Sequence, residues 1–432
     1  MKEGDCVDEE IAPLSIQKNM LWNSAGSIIN LAAQWLITVL VVRISSGYDA
    51  AGLYSLAVTV YGVFAPVAQY RMYTYQISDT KRENTLGEYF TFRIITDVIA
   101  FVGCFGYALA TCPSSAVSTI LLYGVYKSLI MLIDVFHACD QRHQRMDYIG
   151  ISLTLQGVLS LGLFGLVFAA TGNLEATLVA MCLGLVAVGV LYDLRRATQF
   201  EKLSLGITIA KTKYLLWHCL PIVLGALACS AAASVPRQFL FTDMGEVALG
   251  VYASVAAPVA VIQNGASYIY YPLIGYFADY YVEGNLKRIF ALLAKVTAGI
   301  TLLGVVCAVL IELFGVQVLD LLFANNIVEY AYLLMPMIIS ALIAAYMWFL
   351  NDLLIAVRDF KGNFFGNAAS LVAALCCMVP FIMTWDLNGV TFTAIASSVV
   401  GIVVMAISFF LSLRKGARAV KVTSEVNEKD SL

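Results

Sequence analysis

The chain has 432 residues, of which 60% are hydrophobic and only 13% are charged, about half the ~25% usual for a soluble domain. A water-soluble globule of this size needs a charged exterior, whereas twelve membrane spans of ~20 residues would use ~240 positions, close to the apolar total. With 26 Lys and Arg against 29 Asp and Glu, the net charge is −3. This composition excludes intrinsic disorder, a nucleic-acid binder and a disulfide-stapled secreted domain, and leaves a polytopic membrane protein.

The first residues, MKEGDCVDEE, are acidic and lack a signal-peptide pattern. The first apolar run is therefore expected to stay as an anchor behind a cytoplasmic segment, 1–18. Apolar runs long enough to span follow at 20–42, 51–70, 92–110, 116–138, 150–170, 175–192, 214–235, 247–274, 290–313, 329–350, 364–384 and 388–413. They are continuously apolar rather than alternating, which predicts helices and excludes barrel strands. The fold class expected is an all-α polytopic protein of twelve transmembrane helices. Its parts are an N-lobe at 19–192, a cytoplasmic connector at 193–213, a C-lobe at 214–413 and a cytoplasmic tail at 414–432.

Orientation follows from Lys and Arg. The N-terminus, the loops 71–91, 139–149, 193–213, 275–289 and 357–363, and the tail carry 21 of them. The opposite loops carry two, Arg43 and Arg237, and three more (Arg93, Lys127, Lys295) fall within spans. The asymmetry predicts that both termini are cytoplasmic and agrees with an even number of spans.

An internal repeat is visible. Gly47-Tyr48-Asp49-Ala50-Ala51-Gly52-Leu53-Tyr54 follows the first span and Gly245-Glu246-Val247-Ala248-Leu249-Gly250-Val251-Tyr252 follows the seventh, both G-x-x-A-x-G-x-Y and displaced by 198 positions. Gly87 and Gly284, before the third and ninth spans, are 197 apart. Two six-helix halves of the same handedness suit a transporter whose substrate path runs between them; chance similarity of Gly- and Ala-rich turns is the alternative.

Polar groups inside hydrocarbon are costly and mark function by default. Asn23, Ser27, Asn30 and Gln34 fall on one face of the first helix, either as interhelical glue or as the lining of a polar cavity. Arg93 and Asp97, four apart, can pair on one face. Lys127 lies near mid-bilayer, where snorkelling helps least, and is expected to face an aqueous cavity. Asp134, two turns on, either joins it there or neutralises a neighbouring cation. Lys295, Glu312 and Asp352 near span ends read as interfacial. Arg43 and Arg237 each follow the first helix of a half, and suit either an outer rim or the mouth of a central cavity, where guanidinium takes phosphate in a bidentate fork. The eighth span holds Pro258, Gln263, Asn264 and Pro272 with Tyr268, Tyr270 and Tyr271, consistent with a helix that bends or with an interfacial belt.

Eight of the ten cysteines lie in or at the ends of apolar runs, with no C-x-x-C; they read as small apolar fillers. No cofactor motif, metal-ligand spacing, P-loop, H-E-x-x-H or G-x-S-x-G occurs, so no catalytic residue is expected. His137 and His143 lie too near a rim to read as ligands. The basic loops are explained by orientation, although they also suit anionic membrane lipids.

The asparagine-rich first helix ending in a basic residue, followed by Asp49-Ala50-Ala51-Gly52-Leu53-Tyr54, resembles the polysaccharide-export flippases of Wzx type. So does Gln141-Arg142-His143-Gln144-Arg145-Met146-Asp147-Tyr148 followed by Ser152. These flippases belong to the multidrug/oligosaccharidyl-lipid/polysaccharide exporter superfamily, and the resemblance covers residues 19–413. It implies two six-helix lobes in a bacterial inner membrane and alternating access drawing on an H⁺ or Na⁺ gradient. The substrate would be an oligosaccharide on a polyprenyl phosphate or pyrophosphate, handled alongside polysaccharide polymerase or assembly proteins. The phosphate role would fall on Arg43, Lys127 and Arg237, and the sugar on Asn30 and Gln34, with Asn23 on the same face. The second half carries few such cations, a departure from the family pattern. A multidrug/toxic-compound extrusion antiporter of the same superfamily is the alternative, with Asp97 and Asp134 coupling the ion. A cationic cavity favours the glycolipid and an acidic one the drug. A membrane glycosyltransferase would need a large outer loop, which the sequence lacks.

Overall fold

The computed structural model describes residues 13–45, 47–79, 82–323 and 327–430, without the side chains at 16, 78, 261, 264, 268, 271, 272 and 415–430. Residues 1–12 of the expected N-terminal segment, and the side chains of Asn264, Tyr268, Tyr271 and Pro272, therefore lie outside the described part. Among the described residues the chain is helical, with no strand. The first half comprises α1 (Ile16–Ile44), α2 (Asp49–Gln69), α3 (Leu86–Thr111), α4 (Ser114–Arg142), α5 (Met146–Thr171) and α6 (Leu174–Val188). A short helix, Met72–Ser78, follows α2, and α6 continues through a π-turn, Gly189–Asp193. The second half comprises α7 (209–244), α8 (246–282), α9 (Leu286–Phe323), α10 (Leu334–Ala356), α11 (Phe360–Trp385) and α12 (Leu387–Asp430).

Hydrocarbon leaves no partner for a free backbone group, so each span closes its own ladder and its ends must be capped. Thr85 and Glu88 form a capping box at the start of α3, while Asn173, Thr208 and Asp359 cap α6, α7 and α11. Only Gly245, at φ 85° and ψ 178°, separates α7 from α8. Read without that break there are eleven long apolar helices; with it there are twelve. The backbone stays helical through Pro258. α9 runs ten residues beyond the expected end at 313, which moves the next link outward.

Close glycine contacts set the pairing of helices within each half. A Cβ on Gly26 of α1 would sit 2.4 Å from the Gly150 carbonyl oxygen of α5, and one on Gly225 of α7 3.0 Å from Asn363 Oδ1 of α11. Between the halves, the repeat motifs meet each other. A Cβ on Gly52 would lie 1.9 Å from the Glu246 carbonyl oxygen, and one on Gly250 2.3 Å from that of Tyr48. Position six of each motif thus packs on position two of the other, a reciprocal contact of the kind a two-fold relation produces. One apolar cluster, including Ile37, Val41 and Tyr54 from one half and Leu240, Leu249 and Val255 from the other, closes this end. The second glycine pair is not alike: a Cβ on Gly87 would meet the Ser204 carbonyl, whereas Gly284 is a turn residue at φ 68°.

Candidate functional site

Below that closed end lies a cavity shared by the two halves. One compartment of about 330 Å³ is lined by Gln34, Trp35, Thr38 and Tyr54 of α1 and α2, and by Arg237, Tyr252 and Ser254 of α7 and α8. A second, about 640 Å³, shares Val58 and Arg237 with it and adds Gln69, Arg71, Trp348, Asn351 and Asp352. A third, about 360 Å³, lies within the first half and shares Gln69 and Arg71 with the second. It is lined chiefly by polar groups, among them Asn23, Ser27, Tyr73, Arg93, Asp134 and His137.

The cavity holds two guanidiniums without a hydrogen-bond or ion-pair partner among the described residues. Arg237 projects from α7 with its guanidinium carbon 6.0 Å from the Tyr252 ring centre. Arg71 follows the end of α2, where Tyr70 and Arg71 adopt consecutive left-handed conformations (φ 45° and 56°). Such backbone costs about 1–3 kcal/mol per residue and persists where surroundings enforce it. The enforcing group is Arg93, fully buried at 1% exposure: its Nη1 donates to the last carbonyls of α2, 2.8 Å to Ala68 and also to Gln69. A cation on a helix C-terminus is favourable, and here the cap turns the chain so that Arg71 enters the cavity. Asp352 is the counter-charge, accepting from Tyr270 Oη at 3.2 Å.

The residues expected at the site divide. Gln34 lines the cavity and donates to Tyr126 Oη at 2.8 Å. Asn23 and Ser27 line the side chamber. Asn30 instead packs against Gly157 of α5, and its buried Oδ1 has no partner among the described residues. Arg43 does not line these compartments, because α9 is longer than its apolar run; Arg43 Nε donates to Leu322 O at 2.7 Å, and the same guanidinium bonds Leu321 O, capping the end of α9 across the halves. Lys127 does not line them either. It is half-buried one layer behind Gln34, its ammonium 5.6 and 5.7 Å from the Tyr123 and Tyr126 ring centres, a cation–π setting that replaces water. Among the described residues Arg93 and Asp97 make no ion pair, because the α2 carbonyls take the guanidinium, and both Asp97 oxygens are buried without a partner there. Lys295 and Glu312 are exposed, whereas Asp352 lies in the cavity rather than at an interface.

Arg71 escaped the sequence reading because it follows an apolar span and counts among the basic loop residues. The signal was its place directly after Tyr70, where the run stops without Gly or Pro. His137 escaped because it falls at the expected end of its span, whereas α4 continues to Arg142 and buries it at 2% exposure. The described cysteines are free thiols.

Outside the membrane, the basic loop after α2 is organised by Asp79. Burial raises its carboxyl, but hydrogen bonds from Glu83 N, Tyr89 Oη and Asn84 N outweigh this and hold it below the usual carboxylate range.

Among the described residues, twelve long apolar helices in two halves enclose a shared cavity, and solved membrane transporters share this fold. The lipid II flippase MurJ, in an inward closed conformation, superposes with a TM-score of 0.71 over 96% of this chain and 93% of its own, at 8% identity. A multidrug resistance MATE family transporter of the MOP superfamily, inward-facing, gives 0.68 over 94% and 99%, at 14% identity. By sequence, the capsular polysaccharide biosynthesis protein CapF of Staphylococcus aureus is 22% identical over 401 residues, 89% of this chain and 97% of that protein. No protein-family model matches the chain.

Proposed function

We propose that the protein is a flippase that moves a lipid-linked oligosaccharide across the bacterial cytoplasmic membrane for surface polysaccharide assembly, by alternating access of its two lobes. The observation that carries this reading is the sign of the two compartments between the halves: Arg71 and Arg237, unpaired among the described residues, line them with one carboxylate, Asp352. Guanidinium binds phosphate through two parallel hydrogen bonds and is weakly hydrated for a cation, which suits a polyprenyl phosphate or pyrophosphate headgroup entering from an aqueous side. Gln34, Asn23 and Ser27 offer amides and a hydroxyl to the sugars. The charge asymmetry of the loops puts both termini in the cytoplasm. A polysaccharide polymerase or assembly protein is the partner expected downstream. The drug-antiporter alternative draws on one observation, the unpartnered buried carboxylate of Asp97, a group suited to binding H⁺ or Na⁺.

The test is complementation of a strain lacking its polysaccharide flippase, scored by surface polymer and by cationic-dye efflux. Arg71→Gln and Arg237→Gln should each lower export about tenfold or more, the loss of one charge-assisted contact, with the protein still in the membrane and efflux unchanged. Normal export in the double variant would end the phosphate reading. Loss of dye efflux in Asp97→Asn, with export intact, would favour the antiporter.

A further inference from the structure

His137 lies between two carboxylates on different helices. Its Nε2 is 3.2 Å from Asp193 Oδ1, on the π-turn that interrupts α6, and its Nδ1 is 3.7 Å from Asp134 Oδ1, one turn earlier on α4. Single π-turns inside helices are rare and are found frequently at functional sites. Here the displacement brings Asp193 to α4. The two ends differ in access: the Asp134 side chain is 31% exposed and lines the side chamber, whereas that of Asp193 is 1% exposed, with its Oδ2 buried and unpartnered.

The chemistry follows from donor inventory. With the Asp193 carboxylate accepting, the ring carries its hydrogen on Nε2, and the Nδ1 lone pair faces a carboxylate oxygen. Two electron pairs facing each other at the edge of the side chamber are a place for one proton. Its arrival replaces repulsion by attraction between an imidazolium and two flanking carboxylates. Sodium, a hard cation, wants several oxygen ligands around it; here a ring nitrogen fills the middle.

We infer that Asp134, His137 and Asp193 form a proton-binding site, and that H⁺ rather than Na⁺ is the ion coupled to export; this rests on the flippase reading above. The proton comes from chamber water by way of Asp134, forms the Nδ1–H bond, and leaves to water over the same face. No other bond is made or broken. The charged and titratable groups around the site are Arg93 and Asp97 from α3, Lys127 and Asp140 from α4, Arg145 and Asp147 at the start of α5, and Tyr73 of the short helix. Arg93 links this site to the cavity. It faces Asp134 across the chamber and holds the α2 carbonyls next to Arg71, so a charge change at Asp134 is felt at the residue joining chamber and cavity.

The experiment uses the full chain, ¹⁵N-labelled at histidine and reconstituted in phosphatidylglycerol–phosphatidylethanolamine vesicles. There are only three histidines, so loss of a signal in His137→Gln assigns it. Its imidazole resonances should titrate reversibly between about pH 5 and 9, independently of NaCl, and Asp193→Asn should move the midpoint by about one pH unit. A ring fixed in one protonation state across that range, or one that responds to Na⁺ instead of pH, would overturn the assignment. In the complemented strain, His137→Gln should lower export about tenfold and flatten its dependence on external pH. An equal loss at every pH, with the profile keeping its shape, would mean a packing role only and also overturn it. If the unaltered chain restores no export at all, the flippase reading falls, while the titration still decides the proton site.

Discussion

The two lobes share a skeleton and differ in what they bury. In the N-lobe the interior around α3, α4 and α6 holds Arg93, Asp97, His137, Asp140 and Asp193, all below 7% exposure. In the C-lobe no charged side chain among the described residues is buried to that degree: Asn351 Oδ1 accepts from both Asn363 Nδ2 and Asn367 Nδ2 at 2.8 Å, near buried Ser370, and the neighbouring carboxylate, Asp352, faces the cavity. Asp97 and Lys295 make the same point, being 198 positions apart, the offset of the repeat, yet one is buried and the other exposed. Symmetric contacts such as Gly52 on Glu246 and Gly250 on Tyr48 sit where the lobes must meet alike. Ionisable groups concentrate in one lobe, where each must be paired or hydrated to be tolerated. A duplicated scaffold therefore needs to keep only its packing contacts in both copies, and the chemistry can specialise in one.

That contrast can be broken at its strongest point. Arg93→Met would leave two α2 carbonyls without their charged donor, a loss of about 2–5 kcal/mol for two buried acceptors left unpaired; thermal unfolding in detergent should show it, and Arg71 should lose its cavity position. A stability change under about 1 kcal/mol would mean that α2 is held by packing alone.

The symmetric contact makes the next prediction. Gly52→Ala and Gly250→Ala each place a methyl against a backbone oxygen, an overpacking cost of about 1–3 kcal/mol to the closed end. Export should fall by about tenfold for each, since 1.4 kcal/mol is a factor of ten, and disulfide trapping of a Tyr48→Cys, Glu246→Cys pair should weaken equally in both. Unequal effects would show that the lobes do not meet as equivalents.

Asn367→Ala sharpens the contrast from the neutral side. It removes amide hydrogen bonds without stranding a charge, so the expected loss is about 1–2 kcal/mol, with no change in any pH profile. The smallest effect lies outside the membrane. Asp79 has a depressed folded value, so its contribution is present above the unfolded carboxylate value and is lost as pH falls through the folded one. Hydrogen exchange at Glu83 and Asn84 should rise over that acid window, and Asp79→Asn should remove the dependence, at a cost of about 1 kcal/mol.

Hydropathy, loop charge and one repeated octad determined the twelve helices, their two-lobed grouping and the polar face of α1, because these depend on the period of the helix and on what hydrocarbon tolerates. Gln34 and Asn23 stood out as polar where the local pattern demands otherwise, and Arg237 as one of two basic residues on its side; all three line cavity compartments. What tertiary structure decided is which charges meet. Arg93 and Asp97 lie one turn apart and do not pair, since the α2 carbonyls compete for the guanidinium. Arg43 is drawn to a helix end 278 positions away, Arg71 enters the cavity through two left-handed residues, and His137 finds Asp193 through a π-turn. Each of these depends on a partner remote in sequence or on a local break in helical geometry, and periodicity carries neither.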